Sequence, residues 1–151
     1  MKKPALFFAA GLTASLAATS AASAGVPTRS FLAEHQWQSR LLVINAESFD
    51  NQLIGRQKAL LAEQAAALCD RQLRLLVISD QAVRFEGAAV NLSPLALRQH
   101  FQLRGPSVVL VGKDGSVKLR TAAAVPAEEL FRLIDSMSMR QAEMRFDGSN
   151  C

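Results

Sequence analysis

The sequence predicts an α/β fold in which the elements follow one another as β-α-β-α-β-β-α around a central mixed four-stranded sheet. Three observations predict it. Two short apolar runs, at 41–44 (LLVI) and within 73–79 (LRLLVIS), lack the period-two alternation of a half-wetted strand and read as strands buried on both faces. Between them lies a stretch with apolar residues at helical spacing, so the pair is parallel and joined by a crossover helix. Near the C-terminal third, two further apolar runs flank an Asp-Gly turn, the signal of an antiparallel hairpin.

The elements follow in order. Arg29 to Trp37 reads as a short helix or turn after Pro27, and Arg40 to Asn45 as the first strand. With Ser48 or Asp50 as N-cap, the residues Leu53, Ile54, Gln57, Leu60, Leu61, Gln64, Ala65 and Leu68 form a stripe at helical spacing that reaches Cys69. Leu73 to Ser79 repeats the buried-strand pattern, whereas Asp80 to Leu92 is polar and receives no element. Ser93 and Pro94 cap a helix that runs to about Phe101, with proline at its first position. The hairpin comprises Val108 to Val111, the turn Gly112-Lys113-Asp114-Gly115-Ser116, and Val117 to Leu119. A last helix begins at Pro126, buries Leu130, Leu133, Ile134 and Met137, and runs on through Met144.

Residues 1–24 read as a cleaved signal peptide. A basic start at Met1-Lys2-Lys3 precedes an apolar run from Ala5 to Ala18 and the small-x-small site Ala22-Ser23-Ala24. The expected location is periplasmic or secreted. The apolar run is too short for a retained membrane span, so no transmembrane segment is expected after cleavage. Residues 25–151 then form one domain, of ordinary size and without internal repeats. Losing Lys2 and Lys3 takes the basic residues from 17 to 15 against 13 acidic ones, a net charge of +2. The arginines are scattered among acids, so no nucleic-acid partner is expected.

The element order, the junction after the first strand, and Gly105-Pro106 at the head of the third strand together resemble the thioredoxin fold. That resemblance implies a Cys-x-x-Cys motif at the first helix and a cis-proline, matched by Pro106, opposite it. The junction instead reads Ala46-Glu47-Ser48-Phe49-Asp50-Asn51-Gln52, with no cysteine. Dithiol exchange needs a thiolate of lowered pKa, which this helix start does not supply. A closer resemblance covers nearly all of the chain after residue 24. It rests on Trp37 to Val43, Asp70-Arg71, Gly112 to Gly115 with Lys118, and Ile134 to Arg140 with Glu143-Met144-Arg145. In these blocks the chain is similar to the family called domain of unknown function 4174, whose usual Asp-x-Met-Pro-Met-Arg has Ser138 here in place of proline. The resemblance implies a thioredoxin-like or peroxiredoxin-like domain without redox cysteines, found in exported bacterial proteins and in animal matrix-associated proteins with sushi repeats.

No enzymatic activity and no cofactor follow from it. In such an arrangement the first and last helices share one face and end at the bottom of the sheet, which brings Cys151 within reach of Cys69. The two are expected as a disulfide, or else Cys69 is a buried small side chain and Cys151 a free thiol, or Cys69 is a redox-active group. The helix C-terminus disfavours a thiolate at Cys69. Met137, Met139 and Met144 offer thioethers to Cu(I), although Met137 and Met144 also have the spacing of core packing. His35 and His100 lie far apart, each without a nucleophile at readable spacing. Arg71 with Asp70, and Arg140 with Glu143 or Asp135, read as internal ion pairs or caps, while Arg40 and Arg140 would form an anion pocket if they converged. The expected function is a non-catalytic module binding a protein or small molecule through a groove at Ala46 to Asn51, with Ser48 and Asp50, and Gly105-Pro106. The alternatives are a redox enzyme or sensor using Cys69, and a methionine-based copper protein.

Overall fold

The structure, a computed structural model, describes residues 25–146 and Cys151. The expected signal peptide and the polar tail at 147–150 lie outside the described residues.

At the centre is β1 (Arg40–Asn45), all six of whose residues are buried. Leu41 and Val43 face one side, where they meet Leu97 and Phe101 together with Phe31 and Leu32. Leu42 and Ile44 face the other, where they meet Ile54, Leu61, Leu130 and Ile134. A strand covered on both sides needs apolar residues in every position, which is why the run is continuous. It pairs in parallel with β2 (Leu73–Ile78), Arg40 opposite Leu73 and Asn45 opposite Ile78. On its other side it pairs antiparallel with β5 (Ser107–Val111), which continues through the hairpin to β6 (Val117–Thr121). Helices α1 (Gly25–His35) and α4 (Pro94–Phe101) cover the first face, and α2 (Gln52–Leu61) and α5 (Ala127–Asp135) the second. Gln57, fully buried on α2, donates to the Val125 carbonyl at 2.9 Å and accepts from its N–H at 2.8 Å, tying α2 to the segment that leads into α5.

The sheet has six strands rather than four, in the order β4-β3-β2-β1-β5-β6. The extra pair, β3 (Val83–Phe85) and β4 (Ala88–Val90), lies in the polar stretch 80–92, whose sequence predicts no element. Glu86 and Gly87 join them with both φ values positive, 49° and 84°, the geometry of a tight two-residue hairpin turn. Strands of three residues are too short to show a period-two alternation, so only pairing, β3 with β2 and β4 with β3, reveals them.

Two predicted helices are each two. The stripe from Leu53 to Cys69 divides into α2 and α3 (Ala65–Asp70). Past Leu61 the stripe offers only Gln64 and Ala65 before Leu68, and α3 has no buried residue to hold it in line with α2. The N-cap of α2 is Asn51, whose side chain accepts from Leu53 N–H at 2.9 Å, rather than Ser48 or Asp50. The C-terminal helix likewise breaks at Ser136-Met137 into α5 and α6 (Ser138–Phe146). Ser138 therefore stands at the first position of α6, a place proline also tolerates. The Gly105-Pro106 bond is trans, contrary to the expectation carried by the thioredoxin resemblance.

Candidate functional site

Two polar assemblies sit at opposite ends of β1. At its C-terminal end, where the chain turns into α2, a cavity of about 200 Å³ is lined by Asn45, Ala46, Glu47, Asp80, Arg98, Gly105 and Pro106. Asn45 is its buried pivot. Its amide donates to the Gly105 carbonyl at 2.7 Å, and its oxygen accepts from Arg98 Nε at 2.8 Å. Arg98 Nη2 donates to the Ala46 carbonyl at 3.1 Å and pairs with the Asp80 carboxylate at 2.9 Å. Among the described residues these contacts leave Nη1 of Arg98 without a partner. Ser48, Asp50 and Pro106 are all exposed at this end; the Ser48 hydroxyl accepts from the Asp50 N–H at 3.3 Å, which orders the turn but leaves the Asp50 carboxylate to solvent. No cysteine or histidine lines the cavity.

At the N-terminal end of β1, charged residues from four separate parts of the chain meet. Arg40, 1% exposed, grips Glu143 with two nitrogens at 3.1 and 3.2 Å and donates to the Arg71 carbonyl at 2.8 Å. Lys113, from the β5–β6 turn, pairs with the same carboxylate at 2.7 Å and bonds the Gln72 side chain. Arg140 contacts Asp70 and its carbonyl, Asp135 at 3.2 Å and Glu143 at 3.6 Å. Arg71 pairs with Asp135 at 2.6 Å and lies 4.4 Å from the centre of the Phe131 ring. The carbonyls engaged here, those of Ala67, Asp70 and Arg71, belong to the end of α3, where cations satisfy its orphan acceptors and its dipole.

Arg40 and Arg140 thus do converge, and the anion between them is the chain's own Glu143. The internal pairs and caps expected of Arg71 and Arg140 are present. Burial alone would raise the Glu143 carboxyl, but hydrogen bonds and charge from Lys113 and Arg40 outweigh it and hold the group below its ordinary 4.5. Asp135 is held below 3.8 in the same way, against its burial, by Arg71 and Arg140. Near pH 4 the folded protein therefore binds fewer protons than the unfolded chain. The stability from these two groups is complete above their ordinary values and is lost as pH falls through the lowered ones. The urea midpoint is expected to be flat from pH 7 to about 5 and to fall below about 4.5, with a shallower acid limb in Glu143→Gln. An equal acid limb in that variant would assign the loss to other carboxylates.

Cys69, on α3 beside Asp70, is bonded to Cys151, with Cα atoms 5.8 Å apart. The disulfide lies at the charged end of β1, away from the junction cavity. Met137 packs against the core at the helix break, so it does not share α6 with Met139 and Met144; Met144 is 48% exposed. Among the described residues no group of three or more His, Cys, Asp or Glu is placed to hold a metal ion. His35 and His100, distant in sequence, line one cavity between α1 and α4. Of the residues that build the two ends, Asn45, Asp80, Arg98, Lys113 and Gln72 were not singled out from sequence as site residues. Asn45 carried one signal, a polar residue closing an otherwise apolar buried strand.

Among known proteins, the family model described as a domain of unknown function (DUF4174) matches residues 31–143. Coiled-coil domain-containing protein 80 of Danio rerio is 28% identical over 139 residues, a match covering 79% of this chain and 16% of that protein. The chain therefore spans about a sixth of the length of that curated relative. With three-quarters of its residues inside the family match, the chain belongs to the DUF4174 family.

Proposed function

We propose that this member of the DUF4174 family is an exported, thioredoxin-like, non-catalytic binding module whose contact surface is the cavity at the β1–α2 junction. The inner strands β2, β1, β5 and β6, linked as β-α-β-α-β-β-α, support the thioredoxin-like reading. The observation that carries the functional reading is the chemistry of the junction. Its cavity presents amide, carboxylate and guanidinium groups and backbone carbonyls, with no thiol, while both cysteines are joined to each other at the far end of β1. Such a lining supplies hydrogen bonds and shape but no nucleophile of lowered pKa.

The test has two arms on the exported protein. Purified protein is expected not to reduce glutathione disulfide or hydrogen peroxide; turnover that disappears in Cys69→Ser would overturn the proposal. A photo-crosslinking side chain at Ser48 is expected to capture a defined partner in the native compartment, while one at Gln141 on α6 captures none. Equal capture from both positions would remove the junction as the contact surface. Among the described residues no helix is long and apolar enough to cross a membrane.

A further inference from the structure

The cavity that His35 and His100 share is separate from the junction. It opens between α1 and α4 above the start of β1, has a volume of about 290 Å³, and is large enough for a small organic molecule. Its floor is apolar, formed by Leu32, Leu41, Phe101 and Val111. These residues belong to the core on that face of the sheet, so the floor is rigid and already formed.

The rim is where charge is unevenly balanced. Asp114 reaches the cavity, but Lys118 pairs with its carboxylate at 2.8 Å and Ser116 donates to it, which cancels its charge locally. Hydrogen bonding from Lys118 lowers its pKa to about 2, so it stays ionised and paired. Arg29 on α1 has no ion pair or hydrogen bond among the described residues, and His100 on α4 has only an edge-on contact with the Phe101 ring at 4.7 Å. Ser39, 7% exposed, has a hydroxyl with no partner among the described residues and also lines the cavity. His35 turns its ring to Phe31 and Phe85, with centroids at 4.5 and 4.8 Å, and burial lowers its pKa, so it adds to the apolar side. The net offering is an apolar floor under a cationic guanidinium and uncommitted hydrogen-bonding groups.

We infer that this cavity is a ligand site for a small amphipathic carboxylate, its aromatic or branched aliphatic body on the floor and its carboxylate at Arg29 and His100. Arginine suits this task because its planar fork matches a carboxylate, and an apolar body gains by leaving water for a preformed floor. The site shares no lining residue with the junction cavity and stands or falls independently of it.

The test is titration of the full chain after residue 24 with 3-phenylpropionate and, separately, its uncharged amide, followed by amide chemical shifts. The acid is expected to bind saturably with a dissociation constant below about 1 mM, shifting residues of α1, α4 and β5. The amide is expected to bind about five- to tenfold more weakly, and Arg29→Gln to weaken the acid by a similar factor. Ala33→Phe, at an exposed helix position on the rim, is expected to abolish binding without unfolding the protein. No saturable binding up to about 10 mM, equal affinity for acid and amide, or binding untouched by Ala33→Phe would each overturn the assignment.

Discussion

Replacing Arg40 by alanine is expected to destabilise the protein by about 3 kcal/mol, read from the urea midpoint at pH 7 with an unchanged slope. The side chain is almost fully buried, and its removal takes two hydrogen bonds from Glu143 and one from the Arg71 carbonyl. Glu143, itself 12% exposed, would keep Lys113 but lose its closest guanidinium. The buried pair is costly to break rather than strongly stabilising in itself, since Arg40 Nε finds no hydrogen-bond partner among the described residues. The joint variant Arg40→Met with Glu143→Met is therefore expected to recover part of the loss, because no carboxylate is stranded and the volume stays filled, although Lys113 loses its carboxylate and keeps only the Gln72 side chain. A loss below about 1 kcal/mol for Arg40→Ala would mean that water reaches Glu143 easily and that the assembly is a surface network.

The elements that were legible in the sequence are those whose signal is local and whose burial is extensive. β1 and β2 were readable because two-sided burial writes a continuous apolar run, α4 because Ser93 and Pro94 mark its start, and β5–β6 because Asp114-Gly115 marks its turn. The Ser93 hydroxyl accepts from Ala96 N–H at 3.2 Å, as that cap requires. What was not legible depends on partners elsewhere. β3 and β4 exist by pairing outward from β2, and at three residues each they are too short for Val83, Phe85 and Val90 to write a period-two pattern. The helix break at 62–64 comes where the apolar stripe thins, and a stripe with a gap reads the same in one helix or two; the break at 136–137 falls on Met137, which stays packed against the core and so leaves no gap to read.

The site residues divide on the same principle. Arg40, Asp70-Arg71 and Asp135 to Glu143 stood out one block at a time, Lys113 only as part of a hairpin turn, and these blocks also carry the family resemblance. That they form one assembly rests on contacts spanning up to 103 residues, which no spacing rule can disclose. The only buried residue of α6 is Arg140, while Met144 and Phe146 on the same helix are exposed, so α6 is docked by ion pairs and carbonyl contacts rather than by an apolar stripe. Arg98 and Asn45, 53 residues apart, occupy the junction where a thioredoxin-type chain would carry its thiol pair, and nothing local in either neighbourhood marks them as partners.

Reducing the Cys69–Cys151 disulfide is expected to lower stability by about 4 kcal/mol, through the freedom restored to an unfolded chain that had been closed over an 82-residue separation. In melting temperature this is a fall of about 15 °C, reproduced without reductant by Cys69→Ser. The folded structure should survive, because Arg140 and Glu143 still hold α6 against α3 and β1 after the bond is cut. Disulfide and ion-pair assembly thus fasten the same C-terminal segment to the same helix end, Cys69 being the immediate neighbour of Asp70. Their losses should consequently be less than additive. In reduced Arg140→Ala, α6 is free to detach, and detachment returns Asp70, Asp135 and Glu143 to water at little further cost; in the oxidised variant the tether keeps them near the sheet. A double-mutant cycle of Cys69→Ser and Arg140→Ala on urea stability measures this coupling, and additivity within about 0.5 kcal/mol would show that the two fasten independent parts of the molecule.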